Sequence, residues 1–468
     1  MARPLLLHSG RIATFAPEGP AFLADGALRV AADGTVEALG PTAEVAPPEV
    51  REGFAGEVLD LAGNLVLPGL INAHTHLYSA LARGMSALPG EPAADFRGVL
   101  EQVWWPLDRA LDRETTYLSA VTGLLECVRA GVTTVIDHHA SQGFVEGSLD
   151  ALAQAADEVG VRLSTCFEVT DRDGPEVAAA GLEENARFAR AVRDDPRPRG
   201  GVATRAATLG LHASFTLEDP TLERALELLD GEGLPGVHVH VAEDRADPLD
   251  AIGRCGGRTV ERLRRAELLR PGTICAHAIW VDDGELKILA DSGAIVAINP
   301  ASNMNNGVGR ADVARLRQAG VRVAVGSDGM SGDVLGQLGL AFLAQRDLAR
   351  DPRVGWEEAT ALLAGNRAAA DVFFPGAGLG TLRVGGPADL AVLDYVPWTP
   401  LDGDNLLGHL LYGELGARVR TVVCGGRVVL RDGRFPDLDL PALSARAREG
   451  ARSLWRRRRP SPPRPQET

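Results

Sequence analysis

Hydrophobic and polar positions along the chain follow two rhythms, and the change between them divides the sequence. Residues 1–66 alternate in short runs, LLLHSGRIATF, GALRVAADGTVEALG and GEVLDLAGNLV, cut by turn residues such as DG and AGN. Alternation bounded by turn signals predicts half-buried strands. Residues 376–440 have the same texture, in GTLRVGGPADLAVLDY and VRTVVCGGRVVLRDGRF. The two chain ends are therefore read as halves of one small β-sandwich. Residues 67–375 differ. There, apolar runs (LVLPGLINAH, TTVIDHH, VRLSTCF, ATLGLHAS, GVHVHVAE, GTICAHAI, AIVAINP and VRVAVGSD) alternate with stretches of helical period such as ETTYLSAVTGLLECVRAG, DPTLERALELLDGEG and DDGELKILADSG. Strands in strict alternation with helices predict an α/β architecture, a distorted (β/α)8 TIM barrel. Residues 441–468 read as a C-terminal helix and, from Arg456, an Arg- and Pro-rich tail, RRRRPSPPRPQET, expected to be disordered.

Composition narrows the class. A chain of 468 residues exceeds one ordinary core, and 45% hydrophobic with 24% charged residues is globular. A formal charge of −15 speaks against nucleic acid as a partner. The five cysteines are dispersed without a CxxC pair, as in a protein of a reducing, cytoplasmic compartment. The LLL near the N-terminus is too short for a secretory signal, and no apolar run is long enough to span a membrane.

Histidine placement gives the first chemistry. Of ten histidines, eight lie on or at the ends of expected barrel strands: His74 and His76, His138 and His139, His212, His238 and His240, and His277. The C-terminal strand ends of such a barrel converge on one mouth, where active sites form. On a strand, residues i and i+2 share a face, so His74 and His76 can grip one ion. A third imidazole from strand five and the carboxylate of Asp328, in VAVGSDG, complete a set with room for water. Such an ion would lower the pKa of a water toward neutrality. His238 and His240 share a face, so spacing does not choose between them; the sequence after His240, Val-Ala-Glu243, favours His240. Glu243 would then carry protons beside the ion, a reading its spacing from His240 favours over that of a carboxylate stabilised at a helix N-terminus.

These blocks resemble the amidohydrolase superfamily, in its cytosine/guanine/adenosine-type aminohydrolase branch. PGLINAHTHLYSALARGM, GVTTVIDHH, HVHVAE and VAVGSDGM carry the likeness, together with the flanking GGPADLAVLD and VCGGRVVLRDGRF. WWPLDRAL, DHHAS, NPASNMNNGVG and YVPWTPLDGDNLLGHLLYG are most similar to the SsnA-type aminohydrolases, a group linked to purine or selenium metabolism. The resemblance implies His74, His76, His240 and Asp328 as ligands of a divalent ion, Zn²⁺ first, with Fe²⁺ or Mn²⁺ as alternatives. It implies Glu243 as proton shuttle, Asp328 as acceptor of the water's proton, and His277 as a contact to the attacked centre. Trp105, Asp108, His138, His139, His212 and Asn303 are the expected substrate contacts. Binuclear relatives bridge two metals with a carboxylated lysine on strand four. The only lysine here is Lys287, in the helical pattern after strand six, so one ion is expected. Where several relatives carry W-P-x-E, this chain has Trp105-Pro106-Leu107-Asp108, one methylene shorter, which argues against a full nucleoside as substrate. The implied activity is hydrolytic deamination of a small heterocycle. Ring opening of a cyclic amide at the same site is the alternative, a non-catalytic scaffold a third, and a homodimer the implied assembly.

Overall fold

The apolar run LVLPGLINAH, read above as one strand, is two strands in different sheets. In the computed structural model, which describes residues 3–18 and 21–460, Leu65–Pro68 pairs with Leu390–Leu393 and Leu5–Ala13. Leu70–Thr75 pairs instead with Val132–Asp137. Gly69 makes the switch, and only glycine fits: a Cβ there would lie 2.1 Å from Thr133 Oγ1. Strands from both chain ends share one eight-stranded sheet, branching at Leu5–Ala13. Leu5, Leu7, Leu28 and Leu390 form the core on one face, and Leu6 packs with Ala27 and Ala46 on the other, as the period of two demands.

The rest of the chain winds into the barrel. Its parallel strands are Leu70–Thr75, Val132–Asp137, Arg162–Thr165, Leu209–Ala213, Val237–Val241, Ile274–His277, Ile295–Ile298 and Arg322–Val325. The eighth returns to the first: the Ser327 and Asp328 amides donate to His74 O at 2.9 and 3.0 Å, and Thr75 bridges Asp328. The ladder breaks between strands three and four, leaving arcs of four and six strand segments. At the break the third strand resumes as Glu168–Val169, and the fourth is preceded by Arg205–Ala207. Asn185, from helix Pro175–Asp194, fills the gap. Its Oδ1 accepts from the Phe167 amide at 2.8 Å and its Nδ2 donates to Phe167 O at 2.9 Å, so the interrupted backbone keeps its partners.

The helices follow local signals. Asp112 caps Arg113–Arg129, accepting from the Thr115 amide at 2.9 Å, which satisfies one of the donors that a helix start leaves free. The chain's last helix, Leu440–Arg457, lies against the barrel rim: Trp455 Nε1 donates to Leu81 O at 2.8 Å and Arg457 Nε to Ala110 O at 2.9 Å. The expected disordered tail thus begins too early at Arg456. Arg456 and Arg457 complete the helix, and Arg458 is buried with Nη2 on Ser86 O; the remainder, 461–468, lies outside the described residues. The five cysteines are unpaired. Among the described residues no helix is long and apolar enough to cross a membrane.

Candidate active site

The strand ends gather His74, His76, His240, His277, Glu243 and Asp328 into overlapping groups whose ligand atoms lie within 4.8 Å of one another. The backbone is bent sharply to do it. Ala242, His277, Ala278 and Asp328 have φ of 47°, 76°, 49° and 53°, a left-handed region that costs a non-glycine residue roughly 1–3 kcal/mol. Hydrogen bonds hold these turns: Ala242 N donates to Asp247 Oδ2 at 2.8 Å, and Ala278 N to Val241 O at 2.9 Å.

The imidazoles are oriented by what their other nitrogens do. His76 Nδ1–H donates to His138 O at 2.6 Å and His240 Nδ1–H to His212 O at 2.8 Å. A carbonyl only accepts, so both Nε2 atoms are unprotonated in the neutral rings, yet they face each other at 3.1 Å. His74 Nδ1 shares a hydrogen bond with His238 Nε2 at 2.8 Å, and His74 Nε2 is buried without a partner among the described residues. Asp328 Oδ1 lies 3.0 Å from His76 Nε2 and 3.8 Å from His74 Nε2. Electron-rich atoms packed this closely call for a cation among them, and three nitrogens with one carboxylate are a donor set for a divalent ion. The carbonyls behind His76 and His240 fix ring orientation, as outer partners of ligating histidines do.

Protonation follows burial and the Asp328 charge. Burial pulls His74 down to about 3 and holds His240 well below the ordinary value. Burial also opposes protonation of His76, but Asp328 outweighs it and carries the group up to about 9 in the bare site. Burial likewise opposes ionisation of Asp328, yet its bonds to His74 and His76 keep it well below the usual carboxylate range. Glu243 goes the other way: burial, then the Asp328 charge, push it well above that range.

Glu243 Oε2 is 3.3 Å from His277 Nε2, and Asp328 Oδ2 is 3.9 Å from the same nitrogen. Asn303 Nδ2 donates to His277 Nδ1 at 2.7 Å, which leaves the ring's proton on Nε2, toward the two carboxylates. The Asn306 amide reaches Glu243 Oε1 at 3.4 Å. A line of polar side chains, Asn303, His277, Glu243 and Asn306, therefore borders the converging nitrogens.

Not all expected contacts face the cavity. Trp105, Asp108 and His212 line it, with Trp104, Tyr78 and Phe96. Asp108 is occupied by an ion pair with the buried Arg172, whose guanidinium also lies 5.0 Å over the Trp105 ring. His138, His139 and Asn303 are not on the wall. His138 Nε2 donates to His238 O at 3.0 Å, His139 Nε2 lies 2.8 Å from Ser141 Oγ, and Asn303 serves His277. Sequence reasoning passed over Glu168, Arg172 and Asn306. The first two lie in CFEVTDR at the end of the third strand, where a charged pair on a barrel strand end was the available signal. Lys287 lies in helix Asp283–Ser292, outside the barrel strands.

A barrel with histidines and carboxylates converging at its strand ends is an arrangement that can hold a divalent ion and serve hydrolysis. The model of the amidohydrolase family matches residues 65–429, and the chain belongs to that family. A 5-methylthioadenosine/S-adenosylhomocysteine deaminase of Nitratidesulfovibrio vulgaris is 32% identical over 431 residues, 91% of this chain and 92% of that protein. A 5′-deoxyadenosine deaminase of Methanothermobacter thermautotrophicus is 32% identical over 407 residues, 83% and 87% of the two chains. The fold is shared with the crystal structure of an adenosine deaminase from Xanthomonas campestris with bound zinc, at a TM-score of 0.82, 24% identity, and coverage of 96% and 98%.

Proposed function

We propose that this protein deaminates a small heterocycle hydrolytically, with one zinc ion held by His74, His76, His240 and Asp328. The observation that carries the reading is the pair of Nε2 atoms of His76 and His240, aimed at each other by carbonyls behind both rings and 3.1 Å apart beside Asp328, with Glu243 next to them. Bound there, the ion would supply the Lewis acidity that makes water nucleophilic near neutral pH. The residues do the rest. Asp328, with Oδ2 turned toward His277, accepts the proton of the attacking water. Glu243 gives its proton to the ring nitrogen beside the attacked carbon, takes up the remaining proton of the added hydroxyl and passes it to the leaving amine, which departs as ammonia. The proton held by Asp328 then restores Glu243. The His277 Nε2–H, held by Asn303, donates toward the oxygen that gains charge. Phe96, Trp104 and Trp105 give the cavity apolar walls that suit a flat ring and exclude bulk water. The deaminase names of the two relatives support loss of ammonia over opening of a cyclic amide. Unpaired, mostly buried cysteines support a reducing, cytoplasmic setting.

The test is ammonia release from a panel of purines, pyrimidines, pterins and triazines by the zinc-loaded protein. Turnover with at least one ring is expected, and Glu243→Gln is expected to lower it by roughly 10²–10⁴-fold. Ring opening without ammonia, or undiminished turnover by Glu243→Gln, would overturn the reading.

A further inference from the structure

Glu168 ends the third barrel strand on the cavity wall, and the mechanism above gives it no task. Its carboxylate belongs to a group with His76, His138 and His240 whose ligand atoms lie within 4.8 Å of one another. It therefore sits within about a ring's width of the reacting centre, too near to serve only a remote substituent of the substrate.

Of the two Glu168 oxygens, Oε1 is the freer. Oε2 faces His138 Nδ1 at 3.3 Å. Oε1 faces His212 Nε2 at 3.8 Å, beyond hydrogen-bond length. Local bonding fixes the His212 tautomer. Its Nδ1 is 2.6 Å from Thr216 Oγ1, and the single Thr216 hydroxyl proton is donated to Ala213 O at 3.1 Å. His212 Nδ1–H must therefore donate to Thr216, which leaves His212 Nε2 an acceptor. Glu168 Oε1 and His212 Nε2 are two acceptors facing each other, both on the cavity wall. Arg172 does not fill the gap: it pairs with Asp108 and Asp173, and among the described residues it makes no ion pair with Glu168 within 4.0 Å. Two acceptors at this separation want a donor between them.

We propose that Glu168 is a specificity-determining residue that, with His212, seats an N–H of the substrate ring. The proposal rests on the deaminase reading and narrows it. The substrate class is amino-substituted heterocycles that also carry a ring N–H, such as amino-lactams. Adenines substituted at the glycosidic nitrogen have ring nitrogens that only accept, and these would meet the lone pairs of Glu168 and His212. A site built to accept a donor discriminates strongly against a ring that lacks one, because its buried acceptors are then left unpaired.

The experiment compares kcat/KM for ammonia release from an amino-lactam ring, its N-methylated counterpart and an N9-substituted adenine, using the zinc-loaded protein and Glu168→Gln. The native protein is expected to favour the N–H ring over both others by on the order of 10²-fold or more. Glu168→Gln, which puts an amide donor where a carboxylate stood, is expected to erase most of that preference, largely through KM, with zinc content unchanged. Equal turnover of the N–H and N-methyl rings by the native protein overturns the proposal and leaves the gap to an ordered water. That comparison needs no variant, so a Glu168→Gln protein that fails to fold does not blunt it. If no ring yields ammonia, the deaminase reading fails by itself, and calorimetric binding of the lactam and its N-methyl counterpart decides the donor seat, equal affinities sinking it.

Discussion

Two neighbouring asparagines show how finely a role is set at the residue scale. Asn303 and Asn306 belong to one Asx-rich segment after strand seven, where any member could form a turn or meet a ligand. Asn303 lies within the short helix Pro300–Asn305 and Asn306 caps its end: Asn303 turns under the rim to His277 Nδ1, and Asn306 faces the cavity and Glu243. Asn303 is thus a positioning residue, although its sequence context pointed to substrate. Asn303→Ala should lower kcat by about 10–100-fold, the usual cost of losing a partner behind a working imidazole. KM and zinc content should change little. Ammonia kinetics with metal analysis reads both, and a rise confined to KM would return Asn303 to the substrate. The pair His138 and His139 teaches the converse. Adjacent strand residues point to opposite faces, so only one could turn inward, and His138 does. HxH, HxHxxE and the Asp328 block were legible because each is a local pattern at a strand end, although on strand five spacing alone did not separate His238 from His240. Glu168 was not, because a single carboxylate at a strand end carries no spacing to read.

The barrel elements came through as runs of apolar residues, but their interruptions did not. Gly69 divides what reads as one strand, because Thr133 leaves no room for a side chain there. Cys166–Phe167 divides another, because Asn185, nearly twenty residues further along, supplies the missing backbone partners. Both causes are non-local, and periodicity within one segment is blind to them. The loops after strands four and five depend on a similar device. Asp247, near the start of helix Ala246–Cys255, accepts from Ala242 N at 2.8 Å and Phe215 N at 3.2 Å. It thereby holds the left-handed Ala242 that aims Glu243. Asp247→Ala leaves two backbone donors without this partner, at about 1–3 kcal/mol for each that stays buried and unsatisfied. A lower Tm together with a fall in kcat is expected from thermal melts and kinetics. An unchanged Tm would show that water replaces the carboxylate.

At the scale of the whole molecule, two features join parts far apart in sequence. One is the buried ion pair of Arg162, on the third barrel strand, with Asp389, next to the terminal-sheet strand Leu390–Leu393. Arg162 Nε and Nη2 reach the two Asp389 oxygens at 2.8 and 3.2 Å, and its other donors serve Val202, Ala203 and Arg199 carbonyls. Removing one partner of such a pair costs about 3–5 kcal/mol, because the other charge stays buried. Asp389→Ala should therefore lower the denaturation midpoint strongly, and a midpoint within error of the native protein's would exclude this role. The other feature is the proposed ion site, which would draw ligands from strands one, five and eight. An ion that binds only the folded chain stabilises it by about 4 kcal/mol at a thousand times its Kd. Chelation should then lower Tm by several degrees, and zinc should restore both Tm and turnover. Metal analysis should find one ion per chain, because the second cluster of possible ligands reuses His76 and His240 and Lys287 is outside the barrel strands. Two ions per chain would require those shared imidazoles to be divided, and would contradict the single site argued from their converging Nε2 atoms.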